Sequence, residues 1–174
     1  GIELLASFFA PGEVDEIWIT FPDPQMQKTR KRLVSARFLE LYRQVLRPDG
    51  LVHLKTDSPF LYTFADRLVS ANSLPIIFNT PDLYAAVCGN LGTHPGASEK
   101  GEESDGRTMV RPYIAAATQI QTFYEKQWLA RGKSIRLISF RPPADGPLSD
   151  PAEDDIPRDD YRSVPRGVCF PETK

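Results

Sequence analysis

Short β-rich segments alternate along this chain with longer segments of helical periodicity, and this alternation limits the fold more than any other feature. The predicted strands are 16–20, 51–55, 75–80 and 135–140. The predicted helices are 2–10, 33–46, roughly 59–72, and a segment near 113–131. Because strands that alternate with helices are typical of parallel strands joined by helical crossovers, we expect an α/β fold with a doubly wound sheet.

The ends of the predicted helices carry residues that stop or start helices. Pro11 and Gly12 follow the first helix, and "RPDG" (47–50) is expected to end the second. "TDSP" (56–59) is a capping sequence before the third. These residues agree with the boundaries that the periodicity gives.

Length and charge restrict the functions that the chain can have. Its 174 residues suit one domain with a real core. The formal net charge is −2, so the chain has no overall basic field that would attract nucleic acid. Any binding of nucleic acid must therefore depend on a local basic patch.

The cysteines and the N-terminus bear on cellular location. Cys88 and Cys169 are the two cysteines, and they lack the spacing of metal ligands. We expect no disulfide framework and no metal site, as in proteins of the reducing cytoplasm. No apolar run is long enough for a membrane span, and the N-terminus lacks signal-peptide features. Since the chain has no initiator Met and opens inside a predicted helix, we expect a fragment.

Two segments differ in composition from the predicted domain at 1–141. Residues 89–112 are rich in Gly, Ser and charge, which predicts a mobile loop. Residues 142–174 are acidic and rich in Pro, with seven acids and one base between Asp145 and Asp160. We expect this tail to be poorly ordered.

The sequence "FPDP" (21–24) follows the first predicted strand directly. Pro22 and Pro24 restrict the backbone, so Asp23 is expected in a rigid extended turn. Ligands of doubly wound sheets bind beyond the carboxyl ends of strands. A carboxylate there can orient an amine or stabilise a developing cation. The simpler alternative is that Asp23 only caps the next turn and that the prolines end the strand.

A cluster of cations follows this turn, and no acid interrupts residues 24–39. Such a cluster is typical of contact with nucleic-acid phosphates, and the alternative is a solvated helix start. Cations near a helix N-terminus oppose the helix dipole, which favours the functional interpretation. The residues are Lys28, Arg30, Lys31 and Arg32, joined by Arg37.

Further polar groups occur near the ends of later elements. Asp57 ends the second strand, where it can cap a helix or accept hydrogen bonds from the N–H edge of a base. Thr122 and Glu125 are one helical turn apart and can reach one cleft. Phe123 or Trp128 can equally be core residues. His53 lies within a strand and is expected to be buried rather than catalytic.

The order of these motifs resembles the tRNA (guanine-N7)-methyltransferase family. "FPDP" with its basic residues is followed by "LRPDG", by a strand ending in "TD", and by a helix carrying "TFYE". The similarity runs from about Ile2 to Phe140. It implies a Rossmann-like class I methyltransferase fold, of which this chain has the C-terminal portion of the sheet. It also implies methyl transfer from S-adenosylmethionine to N7 of a guanosine in the tRNA variable loop.

The resemblance assigns roles to individual residues. Asp23 corresponds to the catalytic acid, which also contacts the cofactor. The implied substrate-binding residues are Asp57, Thr122, Phe123, Tyr124 and Glu125, and the implied RNA-binding residues are Lys28, Arg30, Lys31 and Arg32. The family commonly has Trp and then Lys after FPDP, whereas this chain has Gln25, Met26 and Gln27. Gln27 or Lys28 can therefore each take the place of that Lys.

The N-terminal part of the family pattern is not found. The family builds its cofactor site from a Gly-rich loop after its first strand and from acids ending the next strands. This chain begins in the helix before the family's fourth strand, so we expect a truncated sequence or a half-domain that cannot cradle the cofactor alone.

Two other functions remain open from the sequence. One is another base or protein N-methyltransferase of the same fold, although such enzymes have an Asn/Asp-Pro-Pro-aromatic turn in place of FPDP. The other is a non-catalytic RNA-binding half or an inactive remnant.

Overall fold

The computed structural model describes residues 2–91, 115 and 117–160, with side chains up to Val87 in the first range. Two short 3-10 helices span Ile2–Leu4 and Thr29–Lys31. The strands are β1 (Val14–Thr20), β2 (Leu46–Thr56), β3 (Ile76–Thr80) and β4 (Arg136–Phe140). The α-helices are α1 (Leu5–Phe8), α2 (Ala36–Tyr42), α3 (Pro59–Ala71), α4 (Leu83–Leu91) and α5 (Phe123–Ala130).

The four strands form one mixed sheet in the order β1-β2-β4-β3. β1 and β2 are parallel, whereas β4 lies between β2 and β3 and is antiparallel to both. Three strands therefore run in one direction and one is reversed. Because helices cover both faces of this sheet, the α/β prediction is confirmed.

Strand alternation divides the buried residues between the two faces. Val52 and Leu54 of β2 pack with residues of α2 and α3 in the larger core. His53 and Lys55, the next residues along the strand, point to the opposite face. A smaller apolar cluster lies there, around Leu83 and Leu137.

The sequence predicted that the segment "RPDG" ends a helix, and this prediction is wrong. α2 ends at Tyr42, and the segment falls inside β2. The β1–β2 register shifts there from Val14↔Leu46 to Glu16↔Leu51, so residues 47–50 bulge from the ladder. A Cβ on Gly50 would lie 3.0 Å from the backbone oxygen of Arg47 and 2.9 Å from Leu46 Cδ2, so the bulge leaves little room for a larger residue.

The helix predicted near 113–131 is interrupted, because residues 115 and 117–119 are helical, residues 120–122 are not, and α5 begins at Phe123. Thr122 caps it: Glu125 N donates to Thr122 Oγ1, and Thr122 N donates to a Glu125 carboxylate oxygen, each at 3.2 Å. Residues 89–91 of the predicted loop lie in α4, a helix that was not predicted, and residues 92–112 lie outside the described residues.

The segment 142–160 packs on the domain, which differs from the predicted poorly ordered tail. Ile156 is buried in the larger core. Asp150 Oδ1 accepts a hydrogen bond from Ala36 N at 2.7 Å, and Asp159 Oδ1 accepts one from Phe60 N at 3.1 Å. Two of its acids thus sit at the N-termini of α2 and α3, where the helix dipole favours them. Residues 161–174, including Cys169, lie outside the described residues.

Within the described part of the chain, no helix combines the length and apolar character needed to cross a membrane.

Candidate active site

A pocket of about 310 Å³ lies where β1 and β2 reach their carboxyl ends, on the sheet face opposite the larger core. Its walls come from both strands and from the segment that precedes α5. The lining residues are Trp18, Thr20, Lys55, Ala117, Ile120 and Thr122. The FPDP turn follows β1 at this same edge of the sheet.

The FPDP turn is bounded by two residues in the left-handed backbone region. Phe21 and Gln25 both have φ of 49°, which is costly for side chains of this size. Phe21 N donates to Lys55 O at 2.8 Å, which joins the turn to the end of β2. Asp23 Oδ1 accepts a hydrogen bond from Gln25 N at 2.9 Å, and the side chain is exposed. Asp23 therefore supports its own turn while its carboxylate faces solvent.

Three of the predicted RNA-binding cations are exposed on one short segment. Lys28, Arg30 and Lys31 lie in or beside the second 3-10 helix, whereas α2 begins only at Ala36. No described acid forms an ion pair with any of these three side chains. The cations therefore do not stand at the start of α2, and they remain accessible to phosphates.

Arg32 is different, and its burial contradicts the predicted RNA contact. Its side chain is 1% exposed and forms a salt bridge with Glu153. Its Nε donates to Pro24 O at 3.0 Å, and its guanidinium lies 4.1 Å from the Phe64 ring centroid. Its contacts instead tie the FPDP turn to the segment 142–160.

Asp57 directly follows β2, as predicted, but it is buried rather than open to a ligand. The helix cap is its neighbour Ser58, whose Oγ accepts from Leu61 N at 3.0 Å. Arg136 Nη1 donates to the Asp57 carbonyl at 3.0 Å and holds this turn against β4.

Glu125 is fully buried and forms an ion pair with Lys55, another buried residue. Lys55 Nζ lies 2.7 Å from Glu125 Oε1 and 2.8 Å from Oε2. The same ammonium donates to the carbonyl oxygens of Ala117 and, at 3.4 Å, of Ile120. One cation thus joins β2 to the start of α5 and to the segment before it.

Tyr84 extends this buried network towards α4. Its hydroxyl donates to Glu125 Oε1 at 2.8 Å, and Gln121 Nε2 donates to the Tyr84 oxygen at 2.9 Å. Burial, together with the hydrogen bond to Glu125, raises the pKa of the Tyr84 hydroxyl to about 12. Tyr84 therefore remains a neutral donor at physiological pH.

Phe123 and Tyr124 project into solvent at the start of α5, with 71% and 63% of their surfaces exposed. Their ring centroids are 5.8 Å apart in an edge-to-face contact, and neighbouring Ile120 is 74% exposed. Phe123 is therefore not a core residue, whereas Trp128 packs in the smaller cluster. Exposed rings beside a pocket suit the stacking of nucleic-acid bases.

Sequence reasoning missed Lys55 and Tyr84 as members of the site. The signal for Lys55 was its position in "LVHLK", two residues after His53 and hence on the same strand face. Tyr84 gave no comparable signal, since its helix was not predicted.

Comparison with known proteins agrees with this geometry. Residues 1–84 match a family model described as a putative methyltransferase. The chain is 44% identical over 165 residues to a tRNA (guanine-N(7)-)-methyltransferase of Bacteroides thetaiotaomicron, covering 95% of this chain and 55% of that protein. It is 50% identical over 139 residues to the protein of that name from Porphyromonas gingivalis, covering 80% and 47%.

The mixed sheet and the family match together define a Rossmann-like methyltransferase fold. Within that class, the relatives confirm the resemblance to the tRNA (guanine-N7)-methyltransferase family. The chain spans about half the length of the curated relatives it matches.

Proposed function

We propose that the protein containing this chain transfers a methyl group from S-adenosylmethionine to N7 of a guanine in the variable loop of tRNA. The observation that carries this proposal is the exposed carboxylate of Asp23, held in a strained proline-bounded turn at the carboxyl end of β1. The names of the relatives support the same reaction. We further propose that the protein acts in the cytoplasm, with tRNA as its macromolecular partner.

The described residues fit S-adenosylmethionine in part. The Asp23 carboxylate suits the ammonium of the cofactor. β1 and β2, however, are followed by Phe21 and Asp57, and not by a glycine whose missing Cβ would admit a ligand close to the backbone. We therefore assign the cofactor one contact in this chain, through Asp23. We expect the 174-residue chain alone to bind S-adenosylmethionine weakly or not at all, and micromolar binding in calorimetry would contradict this.

When bound, S-adenosylmethionine supplies an electrophilic methyl group. Guanine N7 carries an available lone pair, so the protein does not need to remove a proton from it. The remaining task is to place the base accurately. In this proposal Asp23 orients the reacting groups, and its negative charge offsets the positive charge that develops on the purine ring.

The surface around the pocket supplies contacts for RNA. Lys28, Arg30 and Lys31 are positioned to neutralise phosphates, because all three are exposed on one segment. Phe123 and Tyr124 offer rings on which bases can stack. A variable-loop guanine must leave its stack to reach the pocket, and exposed aromatic rings favour that conformation.

Polar side chains near the pocket are proposed to recognise the base. Gln27 is exposed between Asp23 and the cations, and Thr122 lines the pocket. Asp57 and Glu125 were predicted to bind the substrate as well. Both are buried, which supports the proposal that they act on the base through their neighbours and not by direct contact.

The decisive experiment uses the full-length protein, an unmodified tRNA transcript and S-adenosylmethionine. Nucleoside mass spectrometry should detect 7-methylguanosine, and cleavage at that nucleoside should place it in the variable loop. A tRNA lacking the variable-loop guanine is the matched control and should remain unmethylated. Methylation of another base position or of protein would favour another N-methyltransferase. Tight tRNA binding without methylation would indicate a non-catalytic RNA-binding protein.

A further inference from the structure

We propose that Lys55 and Glu125 are a positioning pair that shapes the pocket for a nucleobase, and that Glu125 does not itself contact the base. The proposal rests on the proposed function for the identity of the ligand. It gives a role to Lys55, which neither the motifs nor the resemblance assigns. It also changes the role of Glu125 from a substrate ligand to a residue that acts through its neighbours.

Three hydrogen bonds, an ion pair and full burial hold the Glu125 carboxylate away from a ligand. Oε1 accepts from Tyr84 Oη at 2.8 Å and lies 2.7 Å from Lys55 Nζ in the ion pair. Oε2 accepts from Lys55 Nζ and Thr122 N, at 2.8 and 3.2 Å. These three hydrogen bonds use most of the roughly four lone-pair sites of an ionised carboxylate, and the Lys55 ammonium lies beside Oε1 as well. Since the side chain is also fully buried, a base cannot pair with it without breaking this network.

Lys55 fixes the wall of the pocket through the same ammonium. Besides Glu125, it binds the backbone carbonyls of Ala117 and Ile120. Both of these residues line the pocket, as do Lys55 itself and Thr122. Removing the ammonium would therefore release four groups at once: the Glu125 carboxylate, two carbonyls, and indirectly the Thr122 cap.

The pair also connects the pocket with the FPDP turn. Lys55 O accepts the hydrogen bond from Phe21 N, and Lys55 Nζ lies 5.9 Å from the centroid of the Phe21 ring. Phe21 is one of the two strained residues that bound the turn carrying Asp23. The side chain of Lys55 thus binds the pocket wall, and its backbone carbonyl binds the first residue of the turn that carries Asp23.

The size and lining of the pocket favour a nucleobase over a larger ligand. Its volume of about 310 Å³ is near the lower limit of roughly 300 Å³ that is usual for small-molecule sites. Trp18 and Ile120 supply apolar surface, and Thr20 and Thr122 supply hydroxyl groups. A flat heteroaromatic group with polar edges matches that lining.

A double-mutant cycle in the full-length protein tests the pair. The variants are Lys55→Met, Glu125→Gln and the double variant, with Lys126→Met as a control that removes an exposed lysine from α5. Glu125→Gln keeps a residue type that suits the cap but leaves Lys55 without its counter-ion. In the double variant neither buried charge remains, so much of the penalty of an unpaired charge disappears.

Steady-state kinetics on tRNA should show the coupling. We expect each single variant to raise KM for tRNA roughly tenfold and the double variant to raise it no more than Lys55→Met does, because both lack the ammonium that binds the two carbonyls. Two independent residues would instead give a rise of roughly a hundredfold. A purely structural loss of folded enzyme would lower kcat and leave KM unchanged. A double variant as impaired as Glu125→Gln, with Lys55→Met near wild type, would show that Glu125 binds the base directly and would overturn the proposal.

Hydrogen exchange gives a readout that does not require methyl transfer. Amides of residues 117–125 should exchange roughly tenfold faster in Lys55→Met, partly recover in the double variant, and remain unchanged in Lys126→Met. Unchanged exchange in Lys55→Met would overturn the positioning role. If the wild-type protein failed to methylate tRNA but the exchange pattern appeared, the proposed function would fail while the structural pair stood.

Discussion

The two faces of the sheet use neighbouring residues of the same strands in opposite ways. Towards α2 and α3, β2 presents Val52 and Leu54 to a large apolar core. Towards α4 and α5, the same strand presents His53 and Lys55, and both are buried against polar partners. Because strand side chains alternate, one strand can supply stability on one face and the candidate site on the other.

Burying His53 and Lys55 on the polar face costs desolvation free energy, and their hydrogen bonds offset part of that cost. His53 Nδ1 is 2.8 Å from Ser139 Oγ, and the imidazole stacks on Trp18 at a centroid distance of 4.1 Å. Trp18 in turn lines the pocket. A fully apolar face would avoid the desolvation cost of these groups. The comparison therefore indicates that the polar face is organised for its site.

The largest loss of stability is expected from Leu54→Ala on the apolar face. Leu54 is fully buried, so truncation leaves a cavity and should lower the free energy of unfolding by about 3 kcal/mol. Chemical denaturation measures this. Leu4→Ala at an exposed site is the matched control and should change stability by less than about 0.5 kcal/mol. Equal effects of the two variants would show that the assigned core is wrong.

Arg32→Ala should destabilise by a similar or slightly smaller amount, about 3 kcal/mol, because it leaves Glu153 without its cation and removes the contact with Phe64. Thermal unfolding tests the change. A normal melting temperature together with weakened tRNA binding would restore Arg32 to the RNA-binding surface.

A pH dependence should distinguish the polar face from the apolar one. Burial lowers the pKa of His53 to about 4, although the charge of Glu16 acts in the opposite direction. In the unfolded chain His53 therefore binds a proton as pH falls through about 6.5, whereas in the folded chain it stays neutral down to about pH 4. Stability from this group is complete above about pH 6.5 and is lost as pH falls towards 4, by up to about 3 kcal/mol.

His53→Gln removes this titration and is the variant for the pH test. The difference in unfolding free energy between about pH 7 and about pH 4 should be smaller in the variant than in wild type. Identical pH profiles would show that the pKa of His53 is the same in the folded and unfolded protein, and would contradict the effect of burial.

The smallest effect on stability is expected for the exposed cations. Replacing Lys28, Arg30 and Lys31 together by Ala should change the free energy of unfolding by less than about 0.5 kcal/mol. In the full-length protein the same change should weaken tRNA binding and reduce its salt dependence, by roughly one unit of slope for each phosphate that is no longer neutralised. Unchanged affinity across several salt concentrations would make the segment a solvated surface.

The sequence predicted the alternation of strands and helices, and with it the edge at which Asp23 and Asp57 lie. It did so because hydrophobic periodicity and turn residues are local signals. It could not predict that Arg32 is buried, because its partners Glu153 and Phe64 are distant in sequence. For the same reason, the acidic segment after Pro142 was predicted to be poorly ordered, whereas Asp150 and Asp159 accept hydrogen bonds from backbone N–H groups at the starts of α2 and α3.

The Lys55–Glu125 pair shows a further limit of sequence reasoning. Its residues are 70 positions apart, and the pairing depends on where α5 begins. A capping box at Thr122 can be found in the sequence, but the burial of its glutamate cannot. Hydrophobic periodicity predicted one continuous helix across residues 120–122, where the structure has a break. The part of the pocket wall that this break forms was therefore not predicted.

The central claim is that the charge of Asp23, and not only its turn, serves the reaction. The most direct measurement pairs the melting temperature of Asp23→Asn with its single-turnover rate on tRNA in the full-length protein. Asn can accept the hydrogen bond from Gln25 N and is a good turn former, so the melting temperature should not change. Loss of the negative charge should slow methyl transfer by a factor corresponding to roughly 3–4 kcal/mol. A variant with wild-type stability and a wild-type rate would contradict the account and leave Asp23 as a turn residue.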